Sequence, residues 1–389
     1  KGLTMEMVKN YDKYPTKEKM VEILTKLKIG YNFEKDIPYN WERLARKKDD
    51  TELKKYFLAT KLSRCLGDIS NIKRLPPCDL LTISFCCQDL SISGAQKGMD
   101  YEQWKEGRST RSGLCWEIVR LLEVAKENNE LPKYLLLENV QALVSKKFIG
   151  DFEMLNKLIE EIGYNCHWKV LNAKDFGIPQ NRPRVFGVYI RKDIDNDTFE
   201  FPKGVELNIS LKDILEEYDD KYILPDHIQE RFQLTDPTFT KNVVGTTKPP
   251  FRTIGQRDQV YQEDCIMGTL CSSDFKQPRQ ILTKCHQIGK LDIKGNDQIK
   301  RVYADDGCSP ALTTMQGGNR QPKVLDDYLI RKLTPEECFK LMGLTVEDTK
   351  KCRDMGESDS SLYKQAGNGI VTNCIQAIAE QLKKFDDAL

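Results

Sequence analysis

The sequence predicts an α/β chain: a largely parallel β-sheet with helices on both faces, joined to a second, smaller and loop-rich domain. Three observations carry this. Between residues 67 and 191, short apolar runs bounded by turn residues alternate with longer segments of helical periodicity. That rhythm is lost after about Phe201. It returns at Arg331 and holds to the end of the chain. At 389 residues the chain is long enough for two domains. The expected division is residues 1–200 with 331–389 as one domain and 201–330 as the other.

In chain order, residues from Met20 to about Ser63 read as helical, with a charged middle, "WERLARKKDDTELKKYFLATKL". "CDLLTISF" (Cys78 to Phe85) is a short apolar run after Pro-Pro and reads as a buried strand. "SGLCWEIVRLLEVAKENN" has apolar residues at helical spacing, and "KYLLLENV" is a second strand. "DFEMLNKLIEEIG" reads as a helix with an Asp cap and a Gly end, and "RVFGVYI" as a third strand. The later region, rich in Gly, Pro, Thr and Gln, holds only short strand-like pieces such as "DCIMGTL" and "RQILTK". In "RKLTPEECFKLMGL", Thr334 is placed to cap a helix, Pro335 suits its first position and Glu337 completes a capping box. The last helix, "IVTNCIQAIAEQLKKF", is amphipathic and is expected to pack back on the first domain. No internal repeat is evident.

Composition bounds the function. With 39% hydrophobic and 31% charged residues and no apolar run near the roughly 18 residues of a membrane span, the chain reads as soluble. Its first residues lack the apolar core of a signal peptide, and the absence of an initial Met suggests a trimmed or incomplete N-terminus. Thirteen cysteines, with no CxxC spacing, read as reduced cytosolic thiols rather than a disulfide framework. Cys265, Cys271, Cys285 and His286 fit no standard zinc pattern, so no metal is expected. The formal net charge is +1. Lys241 to Leu325 holds thirteen Lys or Arg against eight Asp or Glu, a mild excess for which a solvated basic surface is the simplest account.

In a parallel sheet, ligands sit beyond the carboxyl ends of the strands. The Cys86-Cys87 and Glu138-Asn139 pairs both lie at such ends, which points to one shared site. Taken alone, a cysteine there reads more readily as a buried structural thiol than as a nucleophile. A Glu at a strand end is common on surfaces. Arg182 and Arg184, two residues apart on an extended segment, point the same way, as a paired surface couple also would.

Read together, "SFCCQDLSISGAQKGMD", "LLLENVQAL", "DFGIPQNRPRVF" and "YKQAGNGIV", with "GDISNI", "TRSGLCWEI" and "RKLTPEECFKLMG", resemble the bacterial C5-cytosine DNA methyltransferases from about Gly67 to about Ala379. The resemblance implies a Rossmann-like, S-adenosylmethionine-dependent methyltransferase domain, with residues 201–330 as a DNA target-recognition domain. The implied reaction moves a methyl group from S-adenosylmethionine to C5 of a cytosine flipped out of a specific duplex sequence. The implied setting is a restriction-modification system.

By the same resemblance Cys87 is the nucleophile, its thiolate favoured by nearby Arg charge. Glu138 donates a proton or hydrogen bond to ring N3 from a carboxyl of raised pKa. Asn139 holds the loop or the base, and Arg182 and Arg184 hold the cytosine O2 and the catalytic carboxylate. Ser93 fills the space the base leaves, and Ser91 and Gln96 contact DNA beside it. Thr313, Thr314 and Arg320 contact DNA from "RVYADDGCSPALTTMQGGNRQP". Asp68 and Ile69 meet the adenine of the cofactor, Asn368 its methionine end, and Ser112 the cofactor as well. Double-stranded DNA is the implied partner. A cognate restriction endonuclease acts without direct contact, and the chain is a cytoplasmic monomer.

Two departures stand out. The family's Phe-x-Gly-x-Gly turn and its acidic ribose-binding residue are absent, which leads one to expect weak or lost cofactor binding by this chain. Cys86 replaces the family's Pro before the nucleophile, which loosens the backbone and sets two oxidisable thiols side by side. The alternatives are an inactive truncated DNA-binding relic, a tRNA cytosine-5 methyltransferase, and a plain α/β scaffold with chance motifs. The long region after Arg191 argues against the tRNA enzyme.

Overall fold

The computed structural model describes residues 3–32, 37–46, 49–87, 89–90, 97–108, 110–217, 219–223, 233–234, 243–246, 259–262, 267–270, 280–284, 302–304, 323–325 and 328–389. The first part is a small helical unit: Met5–Asn10, Lys17–Lys26, Trp41–Ala45 and Thr51–Leu62. Thr4, Thr16 and Asn40 cap the first three by accepting from backbone N–H groups. Met20, Leu24, Trp41, Leu53 and Phe57 close its core. The stretch from Met20 to Ser63 is thus three helices rather than one run. After the first, Lys28 (φ 52°) and Gly30 (φ 80°) turn the chain into a short ladder of Tyr31–Asn32 with Ile37–Pro38.

The main sheet holds four strands: β1 (Leu80–Ser84), β2 (Tyr134–Val140), β3 (Tyr164–Asn172) and β4 (Pro183–Arg191), in spatial order β1-β2-β4-β3. β1 and β2 are parallel, with Ser84 opposite Glu138. β2 and β3 both pair antiparallel with β4. The expectation of a largely parallel sheet is therefore corrected: among these four strands one pairing is parallel and two are antiparallel. The chain leaves the helix Ile149–Ile162, runs out along β3, and returns as β4 between β2 and β3.

Helices cover both faces of β2, which alternates its side chains between them, whereas β1, expected as a buried strand, is largely exposed: Leu80 is 41% exposed and only Ile83 of this strand is buried. Leu135 and Leu137 pack with Trp116, Val119 and Leu122 of one helix and Phe152, Leu155 and Ile159 of another. Tyr134 and Leu136 face Phe339, Leu362, Ile378 and Leu382. Each of these fully buried side chains contributes about 1.5–3 kcal/mol relative to exposure. The last helix, Thr372–Asp386, docks here as its amphipathic pattern requires, and the Tyr134 hydroxyl donates to Asp386 Oδ1 at 2.6 Å.

The capping box at Thr334 is present, with Pro335 at the first turn of the helix Pro335–Lys340. Glu337 also forms a bidentate pair with Arg331 (2.8 and 2.9 Å), both side chains buried. "RQILTK" carries the strand Gln280–Lys284, and "DCIMGTL" carries Met267–Gly268, which pairs with Gln180–Asn181. Tyr261, Met267, Leu270 and Ile281 join the same core as Phe186 and Val188 of β4. The nine described cysteines are free thiols; Cys265, Cys271, Cys285 and His286 lie outside the described residues. Among the described residues no helix is long and apolar enough to cross a membrane.

Candidate active site

The parallel register of β1 and β2 brings their carboxyl ends side by side. β1 runs through Phe85 into Cys86 and half-buried Cys87, while β2 ends at Glu138, Asn139 and Val140. Asn139, 2% exposed, ties the two ends: its Nδ2 donates to the Phe85 carbonyl at 3.1 Å. β4 sets Phe186 opposite Glu138 and Arg184 opposite Val140, so Arg184 shares a sheet face with Glu138. Arg184 Nε lies 3.3 Å from Glu138 Oε1.

Burial raises the Glu138 carboxyl above its ordinary value. Arg184, Arg182 and a hydrogen bond from Ser84 oppose the shift and lose. A shift in that direction is what the reading of Glu138 as an acid requires. Burial also pushes the Cys87 thiol up, and neighbouring Cys86 adds to the rise; Arg184 pulls it down, and Glu138 raises it. The expectation of a thiol lowered by Arg charge is thus corrected: the charge is present, and desolvation outweighs it.

Arg182 and Arg184 do not share a target. The Arg182 guanidinium, 3% exposed, donates to the carbonyls of Leu270 (2.6 Å), Gly367 (3.0 Å) and Gly369 (2.8 Å). It thereby holds the turn that carries Asn368, which is exposed at the end of the helix Asp359–Asn368. Arg182 acts on Glu138 through its charge.

Ser112 is fully buried and faces the Cys86–Cys87 segment. Its Oγ donates to the Cys86 carbonyl and its N–H to Asp89 Oδ2 at 3.3 Å. Asp89, 3% exposed, accepts at its own carbonyl from Gly98 N (3.0 Å), which draws the chain on either side of residues 90–97 together. Met99 is held there by Asp151 Oδ2 and by the indole of Trp116. Asp151, expected as a helix cap, instead lies in the first turn of Ile149–Ile162 and accepts from Met99 N.

Asp68 caps the short turn Ile69–Asn71 by accepting from Ser70 N, and pairs with Lys28 at 2.5 Å. That ion pair holds its carboxylate below the ordinary value. The half-buried Ile69 offers its carbonyl to Arg120 at 3.2 Å. Beside this turn is a cavity of about 430 Å³ lined by Ser70, Trp104, Lys105, Gly107, Leu114 and Glu117. Ser91, Ser93, Gln96, Thr313, Thr314 and Arg320 lie outside the described residues.

A model of the C-5 cytosine-specific DNA methylase family matches residues 6–384. The chain belongs to this family. The methylase is 31% identical to Type II methyltransferase M2.ScrFI of Lactococcus lactis subsp. cremoris, over 95% of this chain and 83% of that protein. It is 32% identical to orphan methyltransferase M.SssI of Spiroplasma monobiae, over 94% and 82% of the two chains. Against Type II methyltransferase M.HhaI of Haemophilus parahaemolyticus the identity is 30%, over 80% and 79%. The methylase is a DNA cytosine-5 methyltransferase with an α/β, Rossmann-like fold. Neither the inactive relic nor the tRNA enzyme is favoured by these relatives.

Family membership implies S-adenosylmethionine as the methyl donor of the methylase and double-stranded DNA as its substrate. The residues around Asp68 fit the donor's adenosyl end. The cavity is of ligand size, with the Trp104 indole and Leu114 for a purine face and Glu117 as a nearby acceptor. The Asn368 amide, exposed to solvent, suits the polar methionine end. Ser112 fits this group least, because its one hydroxyl proton is committed to Cys86. Trp104, Asp89 and Ser84 are the site residues that sequence reasoning passed over. Only Asp89 left a signal, as a carboxylate two residues beyond the cysteine pair in "CCQDL".

Proposed function

We propose that Cys87 is the nucleophile, Glu138 the acid and Arg184 the charge that couples them, in methyl transfer to a cytosine flipped out of duplex DNA. The observation that carries this reading is the Arg184–Glu138 pair at 3.3 Å, beside the strand end that leads to Cys87.

The Cys87 thiol gives up its proton to solvent and the sulfur bonds to C6 of the ring. Glu138, its carboxyl raised above the ordinary value by burial, gives a proton to N3, so the charge brought by the sulfur is neutralised within the ring. C5 thereby becomes an enamine carbon, able to take an electrophile. S-adenosylmethionine, when bound, supplies an electrophilic methyl group. Loss of the C5 proton to a base, departure of the sulfur from C6 and return of the N3 proton to Glu138 then restore the aromatic ring, the thiolate and the acid. Arg184 favours the Cys87 thiolate and holds Glu138 in place. Asn139 fixes the backbone that leads to the nucleophile.

Asp68, Ile69 and the cavity beside them would hold the adenine, and Asn368 the methionine end, on a turn braced by Arg182. Residues 201–330 act as the target-recognition domain, with Thr313, Thr314 and Arg320 on the DNA. Ser91, Ser93 and Gln96 contact DNA where the base leaves the helix. The methylase works as a cytoplasmic monomer in a restriction-modification system, without touching its cognate endonuclease.

Transfer of labelled methyl from S-adenosylmethionine to duplex DNA and to tRNA tests this reading. Label in DNA, none in tRNA, and background label with Cys87→Ala are expected. A Cys87→Ala chain that keeps most of its rate, or label that prefers tRNA, would overturn it.

A further inference from the structure

We infer that Ser112 is a positioning residue for Cys87, acting through the carbonyl of Cys86. This rests on Cys87 being the nucleophile. The Ser112 hydroxyl donates to the Cys86 carbonyl, which belongs to the peptide plane joining Cys86 to Cys87. Its backbone N–H donates to Asp89 Oδ2, two residues beyond Cys87. One buried serine thus grips the chain on both sides of the thiol. Asn139 holds the Phe85 carbonyl upstream, and Leu90 N donates to the Cys87 carbonyl at 3.1 Å. Ser112 is 0% and Asp89 3% exposed, so water does not compete for these bonds.

The identity of residue 86 explains why such a grip is needed. A proline there fixes φ near −65° and limits the paths the next residue can take. Cys86 leaves φ free, and the thiol that follows it must still be held in line with C6 of a ring. A hydrogen bond to the Cys86 carbonyl restrains the orientation of that same peptide plane from outside. Small misplacements of a reacting atom are costly: about 1 Å can lower a rate about 100-fold.

The test is the rate of covalent adduct formation on a duplex carrying 5-fluorocytosine, with S-adenosylmethionine, alongside steady-state kinetics on ordinary duplex DNA. Ser112→Ala should slow adduct formation and kcat about tenfold or more, with KM for DNA and for S-adenosylmethionine unchanged. Ser112→Thr, which keeps the hydroxyl, should recover most of the loss. Ser112→Cys, near in size but a weaker donor, should fall between, and serves if the alanine variant does not fold. In a Cys86→Pro background the same Ser112→Ala change should cost about threefold or less, because proline already restrains the backbone.

Equal losses in both backgrounds would overturn the inference. So would a rise confined to KM for S-adenosylmethionine, which would make Ser112 a cofactor contact. Cys87→Ala separates the two readings. If it forms adduct at the wild-type rate, the nucleophile assignment fails. If it forms none while Ser112→Ala is unimpaired, only the role of Ser112 fails.

Discussion

Arg184 Nε stands 3.3 Å from Glu138 Oε1, and the same guanidinium favours the thiolate of Cys87. One cation therefore acts on two groups with opposite needs. It favours the ionised form of both, yet the reaction needs Glu138 protonated and Cys87 ionised. Burial settles the contest by raising both groups. Burial thus favours the proton-bearing form of both groups, which suits an acid at Glu138 and opposes the thiolate at Cys87.

Removing that cation should make Cys87 less reactive. In Arg184→Ala, alkylation of Cys87 by iodoacetamide at pH 8, followed by peptide mass spectrometry, should slow by about tenfold for each pKa unit gained. Arg184→Lys keeps the charge and should lie closer to wild type. An unchanged rate in Arg184→Ala would show that Arg184 does not act on the thiol.

The pH dependence of stability reports on Glu138. Its folded carboxyl is raised above the ordinary 4.5, so over the window just above that value the native state holds a proton the unfolded chain has lost. Stability from this group is full below about 4.5 and falls as pH rises through the folded value. Glu138→Gln removes the titration. Urea unfolding between pH 4.5 and 8 should show wild type losing stability relative to Glu138→Gln as pH rises, and a relative gain would contradict the raised pKa.

Gly98 tests the contacts that draw residues 89 and 98 together. It adopts φ +74°, and a Cβ there would stand 3.2 Å from Asp151 Oδ2. Gly98→Ala should cost about 1–2 kcal/mol in thermal or urea unfolding. It should also lower kcat, because the displaced carboxylate is the one that holds Met99 N. Full activity with full stability would show that these contacts are not required.

Glu337 joins a buried ion pair with Arg331 to a helix cap, accepting also from Thr334 N (2.7 Å) and Glu216 N (3.0 Å). Glu337→Ala removes the bidentate pair to Arg331 and the acceptor of the Thr334 and Glu216 N–H groups, and should destabilise the methylase by about 3–5 kcal/mol in urea. A loss below about 1 kcal/mol would mean that the pair is not holding this corner of the core.

Much of the architecture was legible because β2 and β4 are packed on both faces and read as continuous apolar runs, as "YLLLENV" and "RVFGVYI" do. β3 was not legible. It lies at the sheet edge, with Tyr164 and Leu171 buried and Trp168 44% exposed, so it lacks an apolar run. The direction of β4 was also hidden, since a strand buried on both faces carries the same apolar signal whichever way it pairs. Cys87 and Glu138 could be brought together from their positions at the carboxyl ends of strands, whereas Arg184 entered only through the resemblance of "QNRPR". The contact from Ser112 to Cys86 could not, because it spans 26 residues and depends on how two turns pack. Arg182 and Arg184 look alike in sequence and diverge because distant segments supply the carbonyls of Leu270, Gly367 and Gly369 to Arg182, while Arg184 lies beside Glu138.

The most direct measurement is the site of covalent attachment to a duplex bearing 5-fluorocytosine, mapped by peptide fragmentation that resolves Cys86 from Cys87. The adduct should sit on the Cys87 sulfur and be absent from Cys87→Ala. An adduct on Cys86 or elsewhere, or one that persists in Cys87→Ala, would contradict the account.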